Sequence, residues 1–301
     1  MNTMQYASVF MTELDKQLVE KSTTGWMEEN ATQVQYNGGA EVKIPKMTMS
    51  GLGDYDRNSG FAQGAVAVTY ETRTLTQDRG RTFQLDAMDV DETNFAATAG
   101  SVMREFQSTK VIPEIDAYRY SKIYELAEAA GKTVTYQVAA ETIFEKLMND
   151  ITEVRDAAGE CEEIIICMSA KAAGMLDLAK GGTNVLQSGY FAQGKAEIKV
   201  KEIDGCPIIR VPSARFKTAY NFMDGADNTE GGFAAAEGAK DINWIVMVKK
   251  APVAISKTDV TRIFDPMTNQ NANAWKIDYR KYHDLWIMDN GMDGVMVSVG
   301  A

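Results

Sequence analysis

The chain has 301 residues, 45% of them hydrophobic and 24% charged, with a formal net charge of −11. This composition excludes global disorder and is enough for one large core or two smaller ones. A protein that grips nucleic acid through phosphates shows a basic balance or a basic stripe, and neither is present, so any DNA contact is expected to be weak, local or indirect. No run approaches the roughly 20 apolar residues needed to span a bilayer. No basic-then-apolar leader opens the sequence, so the expectation is a soluble protein folded in a cytoplasm.

Residues 1–40 are polar and mixed. Val9, Phe10, Leu14, Gln17 and Leu18 suggest a short amphipathic helix, but nothing near it supplies a core, so the segment is expected to be an arm that finds its partner on another surface. From Glu41 the pattern turns extended: Val42-Lys43-Ile44 alternates, Pro45 interrupts, and Val66, Val68 and Tyr70 alternate with small or polar residues. Between them lies a glycine- and aspartate-rich patch from Ser50 to Gly60, and after them a run rich in threonine and arginine from Glu71 to Phe83. The spacing predicts one long polar β-hairpin over about 41–85. Such a ribbon has too little apolar surface to stand alone in water, and a neighbouring copy is the economical support. Arg57, Arg73, Arg79 and Arg81, with Asp54 and Asp56, are the candidate contacts between subunits.

Asp89 and Glu92 have the spacing of a helix capping box, and Phe95, Ala99, Val102, Phe106 and Lys110 follow at helical intervals. Pro113 predicts a break or kink, followed by a second helix through Ile115, Tyr118, Ile123 and Leu126 that ends at Gly131. From about 133 a compact α/β region begins. Ile143, Leu147, Ile151 and Val154 mark a helix, Glu163 to Met168 a buried strand, and Ser169 the cap of a short helix to Leu178. Strands are predicted around Ala196–Val200, Pro207–Val211 and Ile242–Val248, with Asp204-Gly205 a turn and the glycine-rich stretches 180–194 and 224–238 loops. Val253, Ile255, Trp275, Ile277 and Tyr279 return the chain to extended structure. Asp289-Asn290-Gly291 is a turn, and Val295, Val297 and Val299 close the chain as a strand.

Few motifs carry chemistry. The segment Gly189 to Ala196 nearly matches the phosphate-binding loop, but Ala196 stands in place of the Mg²⁺-binding hydroxyl, and the residues after it read as a strand instead of a helix. Asp54, Asp56 and Asn58 have the first ligand spacing of a calcium loop, yet the glycine is displaced to Gly60 and Ala65 replaces the bidentate glutamate. Gly51-Leu52-Gly53 starts like a dinucleotide fingerprint, and Asp56 stands where its third glycine belongs. His283 is the single histidine, which excludes a histidine-rich metal site, and no GxSxG occurs. Cys161 and Cys167 bracket six residues of strand, roughly 20 Å, far more than the ~5.5 Å a disulfide allows, so Cys161, Cys167 and Cys206 are expected as buried, reduced thiols. No catalytic residue, metal or cofactor is expected. The methionines Met4, Met11, Met47 and Met49 suit irregular subunit contacts.

The order of elements, together with Asp91-Glu92-Thr93-Asn94-Phe95, the segment Val111 to Arg119 and the segment Ile203 to Ser213, resembles the major capsid proteins of tailed bacteriophages, the Hong Kong 97 fold. The resemblance runs over nearly the whole chain. It implies an α+β fold with an N-terminal arm (1–40), an extended hairpin loop (41–88), and a spine helix with a following helix of the peripheral domain (89–132). An α/β axial domain (133–250) and the returning strands of the peripheral domain (251–301) complete it. It further implies self-assembly into pentamers and hexamers of an icosahedral shell around double-stranded DNA, with a separate scaffolding protein, a portal and decoration proteins as partners. The place would be the virion capsid, assembled in the host bacterial cytoplasm. Some members carry a long N-terminal scaffolding segment that is cut off after assembly, whereas here about 40 residues precede the hairpin, which implies either a separate scaffolding protein or a chain that is already mature. The alternatives are an encapsulin-type nanocompartment that encloses protein cargo, and an α/β nucleotide-binding enzyme using Lys195.

Overall fold

The structure, a computed structural model, describes residues 22–33, 35–36, 41–57, 60–87, 102–159, 162–179, 186–193, 196–226, 230–269 and 272–301. The expected helix over Val9–Leu18, the capping box at Asp89 and Glu92, Cys161 and Lys195 lie outside these residues.

In chain order, a 3-10 helical segment (Gly25–Gln33) leads into β1 (Gln35–Tyr36), β2 (Glu41–Met49), β3 (Val66–Thr74) and β4 (Gln77–Asp86). A π-helical turn (Gln107–Val111) runs into α1 (Ile112–Ala129), followed by β5 (Thr133–Thr135) and α2 (Ile143–Ala158). Next come β6 (Ile164–Ser169), α3 (Ala170–Leu178), β7 (Gln187–Gln193), β8 (Ala196–Ile203) and β9 (Cys206–Val211). The chain closes with β10 (Tyr220–Met223), β11 (Gly232–Ala235), β12 (Ile242–Val248), β13 (Pro252–Phe264), β14 (Ala274–Ile287), the single turn α4 (Asp289–Met292) and β15 (Val295–Val299).

The body is built on a seven-stranded sheet in the order β5-β15-β12-β6-β9-β8-β7. Every residue of β6 and β12 is buried, as expected for strands covered on both faces, and their sequences are accordingly near-continuous apolar runs. Helices α2 and α3 pack on these strands. The one acid that α2 sends inward, Asp150, accepts a 2.9 Å hydrogen bond from Trp244 Nε1 and pairs with Lys146. Ser169 caps α3 by accepting from Ala172 N–H, and the Asp204-Gly205 turn takes two left-handed residues, as a tight β8–β9 hairpin requires. The stretches 180–194 and 224–238, expected as loops, instead contribute β7, paired with β8, and β11, paired with β10.

Three further expectations change. Pro113 does not break the helix: residues 102–106 are helical, the π turn widens the coil at 107–111, and α1 continues to Ala129. The wider turn, in which Ile112 N–H bonds to Gln107 C=O, absorbs the proline ring and its missing donor. The helix ends as expected at Gly131, where Gly131 N–H bonds to Glu128 O and Lys132 N–H to Ala127 O, a Schellman closure.

The hairpin stops at Thr74. Leu75 is buried, Thr76 donates from N–H and Oγ1 to Asp284 Oδ2, and the chain crosses to a second sheet, where β4 pairs with β14 from Gln77↔His283 to Asp86↔Ala274. Strand alternation reads the same on either side of this crossing, so the sequence merges two ribbons into one. The third change is the 22–33 segment. It is not an arm: Trp26 and Met27 are fully buried in the body's own core, and Asn30 donates to Lys249 O and Pro252 O.

Candidate assembly surfaces

β2 and β3 pair antiparallel over their whole length, from Glu41↔Thr74 to Met49↔Val66. Beyond them Ser50 and Ala65 close the ribbon through Ser50 N–H to Ala65 O and Ala65 N–H to Ser50 Oγ, and the tip carries a small bridge between Asp56 and Gly60. Tyr55 and Phe61 meet edge-to-face at 4.9 Å there. At the root, Val42 and Ile44 are buried with Leu75, Val253, Ile255 and Trp286, which fixes the hairpin to its own body. Residues 47–57 and 61–74 of the hairpin are exposed. Among the described residues, Met47, Met49, Leu52, Tyr55, Phe61, Val66, Val68 and Tyr70 are large apolar side chains in solvent, more than the rest of the surface offers. Single exposed apolar residues need no explanation, but a contiguous set marks an interaction surface.

The predicted contact residues separate into two places. Asp54, Asp56 and Arg57 are exposed at the hairpin's distal end, and Arg73 is exposed near its root, where it pairs with Glu71 on the same strand at 2.5 Å. Arg79 and Arg81 sit on β4, off the hairpin. Arg79 Nε donates to Glu114 Oε1 at 2.7 Å and Nη2 to Gly232 O, and the Arg81 guanidinium lies against the turn at Gly225. Arg79 is therefore committed within its own subunit.

Where the 22–33 segment, α1 and β14 meet, the structure places a buried charge network that no sequence motif announced. Asp116 accepts from Ser22 Oγ (2.8 Å), Thr23 N–H and Oγ1, and Thr24 Oγ1 (2.6 Å), with Arg215 Nη1 at 3.3 Å. Arg119 is buried and bonds Thr24 O and Glu28, and Lys281 bonds Asp259 at 2.8 Å and lies 3.5 Å from Glu28. Tyr118 Oη donates to Asp284 Oδ1 at 2.5 Å. Burial raises the Glu28 carboxyl, but the charges of Arg119 and Lys281 overcome this and hold it at about 2. His283 is buried edge-on to Tyr118 with Nδ1 unpartnered, and burial, then the nearby Arg119 and Lys281 cations, push its pKa well below the ordinary imidazole value. Sequence spacing gives no hint of this network because its members come from five separate segments, 22–28, 116–119, 215, 259 and 281–284.

A cavity of about 560 Å³ opens beside the network, between α1, β4 and the β10–β11 hairpin, with Phe83, Phe106, Glu114 and His283 in its wall. A second, of about 810 Å³, lies at the start of α3, where Lys171 and Lys217 both pair with Asp241. The described part of the near match to a phosphate loop lies at the end of β7 and the first residue of β8, antiparallel strands, where a phosphate loop would instead open a helix. Cys167 and Cys206 are buried free thiols, and burial pushes Cys167 up to about 12. No group of three His, Cys, Asp or Glu side chains suited to a metal occurs among the described residues.

No family model matches this sequence, and no curated protein does. Solved structures do match. The asymmetric unit of the bacteriophage PhiM1 mature capsid aligns at TM-score 0.57 and 15% identity, over 88% of this chain and 83% of that one. The capsid structure of the cyanophage P-SCSP1u aligns at TM-score 0.56 and 12% identity, over 87% and 84%. A Gordonia phage Cozz structure aligns at TM-score 0.55 and 17% identity, over 86% and 81%. At these identities the likeness concerns the fold: the chain has the α+β architecture of phage capsid subunits, as its resemblance to the Hong Kong 97 type implied.

Proposed function

We propose that this chain is a major capsid protein of a tailed phage, a non-catalytic subunit that self-assembles into pentamers and hexamers of an icosahedral shell around double-stranded DNA. The observation that carries the reading is a hairpin anchored at its root and exposing large apolar side chains along its length, on a body with the fold of phage capsid subunits. A monomer gains nothing from such a projection. In a closed ring every copy both gives and receives it.

The parts follow from this reading. Residues 41–74 are the loop laid over an adjacent subunit, with Arg57, Arg73, Asp54 and Asp56 as polar contacts at its distal end and margins. The helix through 102–129 is the spine, β4, β13 and β14 the peripheral sheet, and 133–250 with β15 the axial domain. A scaffolding protein, a portal and decoration proteins are the expected partners, and the host cytoplasm the expected place of assembly. The net charge of −11 suits a wall that does not trap packaged DNA.

Expression of the full chain, alone and with its scaffold, followed by sedimentation and electron microscopy, tests the reading. Closed shells are expected. A chain that stays monomeric in every salt and pH condition, with the scaffold present, would overturn it, and shells filled with a specific protein cargo would identify a nanocompartment instead. Replacing residues 46–70 by a two-residue turn is expected to abolish shells while the body stays folded.

A further inference from the structure

The strand register shows that the hairpin changes its apolar side along its length. In an antiparallel pair, directly opposite residues share a face. Val42 and Ile44, opposite Arg73 and Glu71, therefore lie on one face, and this is the face buried on the subunit's own body. Met47 and Met49 lie opposite Val68 and Val66, and Tyr70 shares their face; this is the other side of the ribbon. These five side chains are between 48% and 69% exposed. The face that continues from the root carries Thr48, Ala67 and Thr69. The ribbon thus has one apolar face at its root and the opposite apolar face beyond it.

We propose that the distal stripe Met47, Met49, Val66, Val68 and Tyr70 is the grip of the hairpin on a second copy of this chain, with the Thr48–Thr69 face turned to solvent. The inference rests on the capsid reading and adds to it which face binds and by what chemistry. Two observations favour a second copy as the occupant. The subunit's own body is held by the root's opposite face, so the distal stripe points away from the surface that the root covers. The stripe also comprises five side chains, far short of the roughly 20–30 residues a side of a standard stable interface. Such a contact holds when it is repeated around a ring, each copy making it twice, and not as a lone pair with an unrelated protein. The polar groups at hand are weaker candidates for the grip: Arg73 is paired on its own strand and Arg79 within its own body.

The test uses the full chain in the assembly assay above. The double variant Met47→Lys/Val68→Lys places two charges in the stripe, and Thr48→Lys/Thr69→Lys places two on the other face of the same ribbon. Circular dichroism and thermal melting are expected to match wild type in both. The stripe variant is expected to lower the assembled fraction at least about tenfold at equal concentration, whereas the opposite-face variant keeps it. As a second readout, hydrogen peroxide is expected to oxidise Met47 and Met49 at least about tenfold more slowly in shells than in free subunits, by mass spectrometry. If wild type assembles and the stripe variant assembles equally well, or if Met47 and Met49 oxidise at the same rate in both states, this inference falls and the capsid reading stands. If wild type forms no shell, both fall.

Discussion

Below about pH 6.5 an unfolded chain takes up a proton on its one imidazole, whereas the folded chain resists, because His283 is buried beside Arg119, Lys281 and Arg79. The unfolded state then binds more protons, so stability falls as pH falls, by up to about 1.4 kcal/mol per pH unit, from 6.5 down to the depressed native value. His283→Gln is expected to flatten the melting temperature between pH 6.5 and 5. Glu28 acts lower down. Its folded pKa of about 2 lies below the ordinary 4.5, so its contribution is present above about 4.5 and lost as pH falls toward 2. Glu28→Gln is expected to remove that acid limb and, by taking away the carboxylate that favours a charged His283, to leave the fall between pH 6.5 and 5 in place, which one calorimetric series would read. Gly80 is a different constraint. A Cβ there would lie 2.7 Å from Tyr279 O on the neighbouring strand. Gly80→Ala is expected to cost about 1–3 kcal/mol in urea unfolding, since backbone must move to admit it. The burial of His283 among cations was not legible in the sequence, because they arrive from β4, α1 and β14.

At the scale of elements, strands with uniform burial were readable: β6 and β12 appear as apolar runs, and the caps at Ser169 and Gly131 stand where side-chain chemistry puts them. At Pro113 a break and a kink read alike in the sequence, and the structure has no break, because a π turn can take up a missing donor without ending a helix. The 22–33 segment misled. Its apolar content is small, but its three consecutive hydroxyl residues converge on Asp116, a long-range match that periodicity does not register. Asp116→Ala leaves those hydroxyls and Arg215 without their acceptor and is expected to cost about 3 kcal/mol or more. Limited proteolysis is expected to cut first within 22–33, ahead of global unfolding. Cleavage that begins elsewhere would show that Trp26 and Met27 hold the segment without the hydrogen bonds.

At the scale of the whole molecule, the acidic balance and the apolar hairpin oppose each other. Copies carrying −11 repel at long range. Salt screens that repulsion within a Debye length of about 10 Å at 0.1 M and about 3 Å at 1 M, while leaving apolar contact intact or strengthening it. Exposed arginine–carboxylate pairs behave oppositely: each contributes about 0–1 kcal/mol and fades on screening. The two chemistries therefore predict opposite salt responses. With the stripe as the grip, the critical concentration for assembly is expected to fall as NaCl rises from 50 to 500 mM, roughly as the Debye length shortens, and to rise on cooling as apolar burial weakens. Light scattering across a salt and temperature grid would read both slopes. A critical concentration that climbs with salt would assign the grip to Arg57 and Arg73 and their carboxylate partners instead.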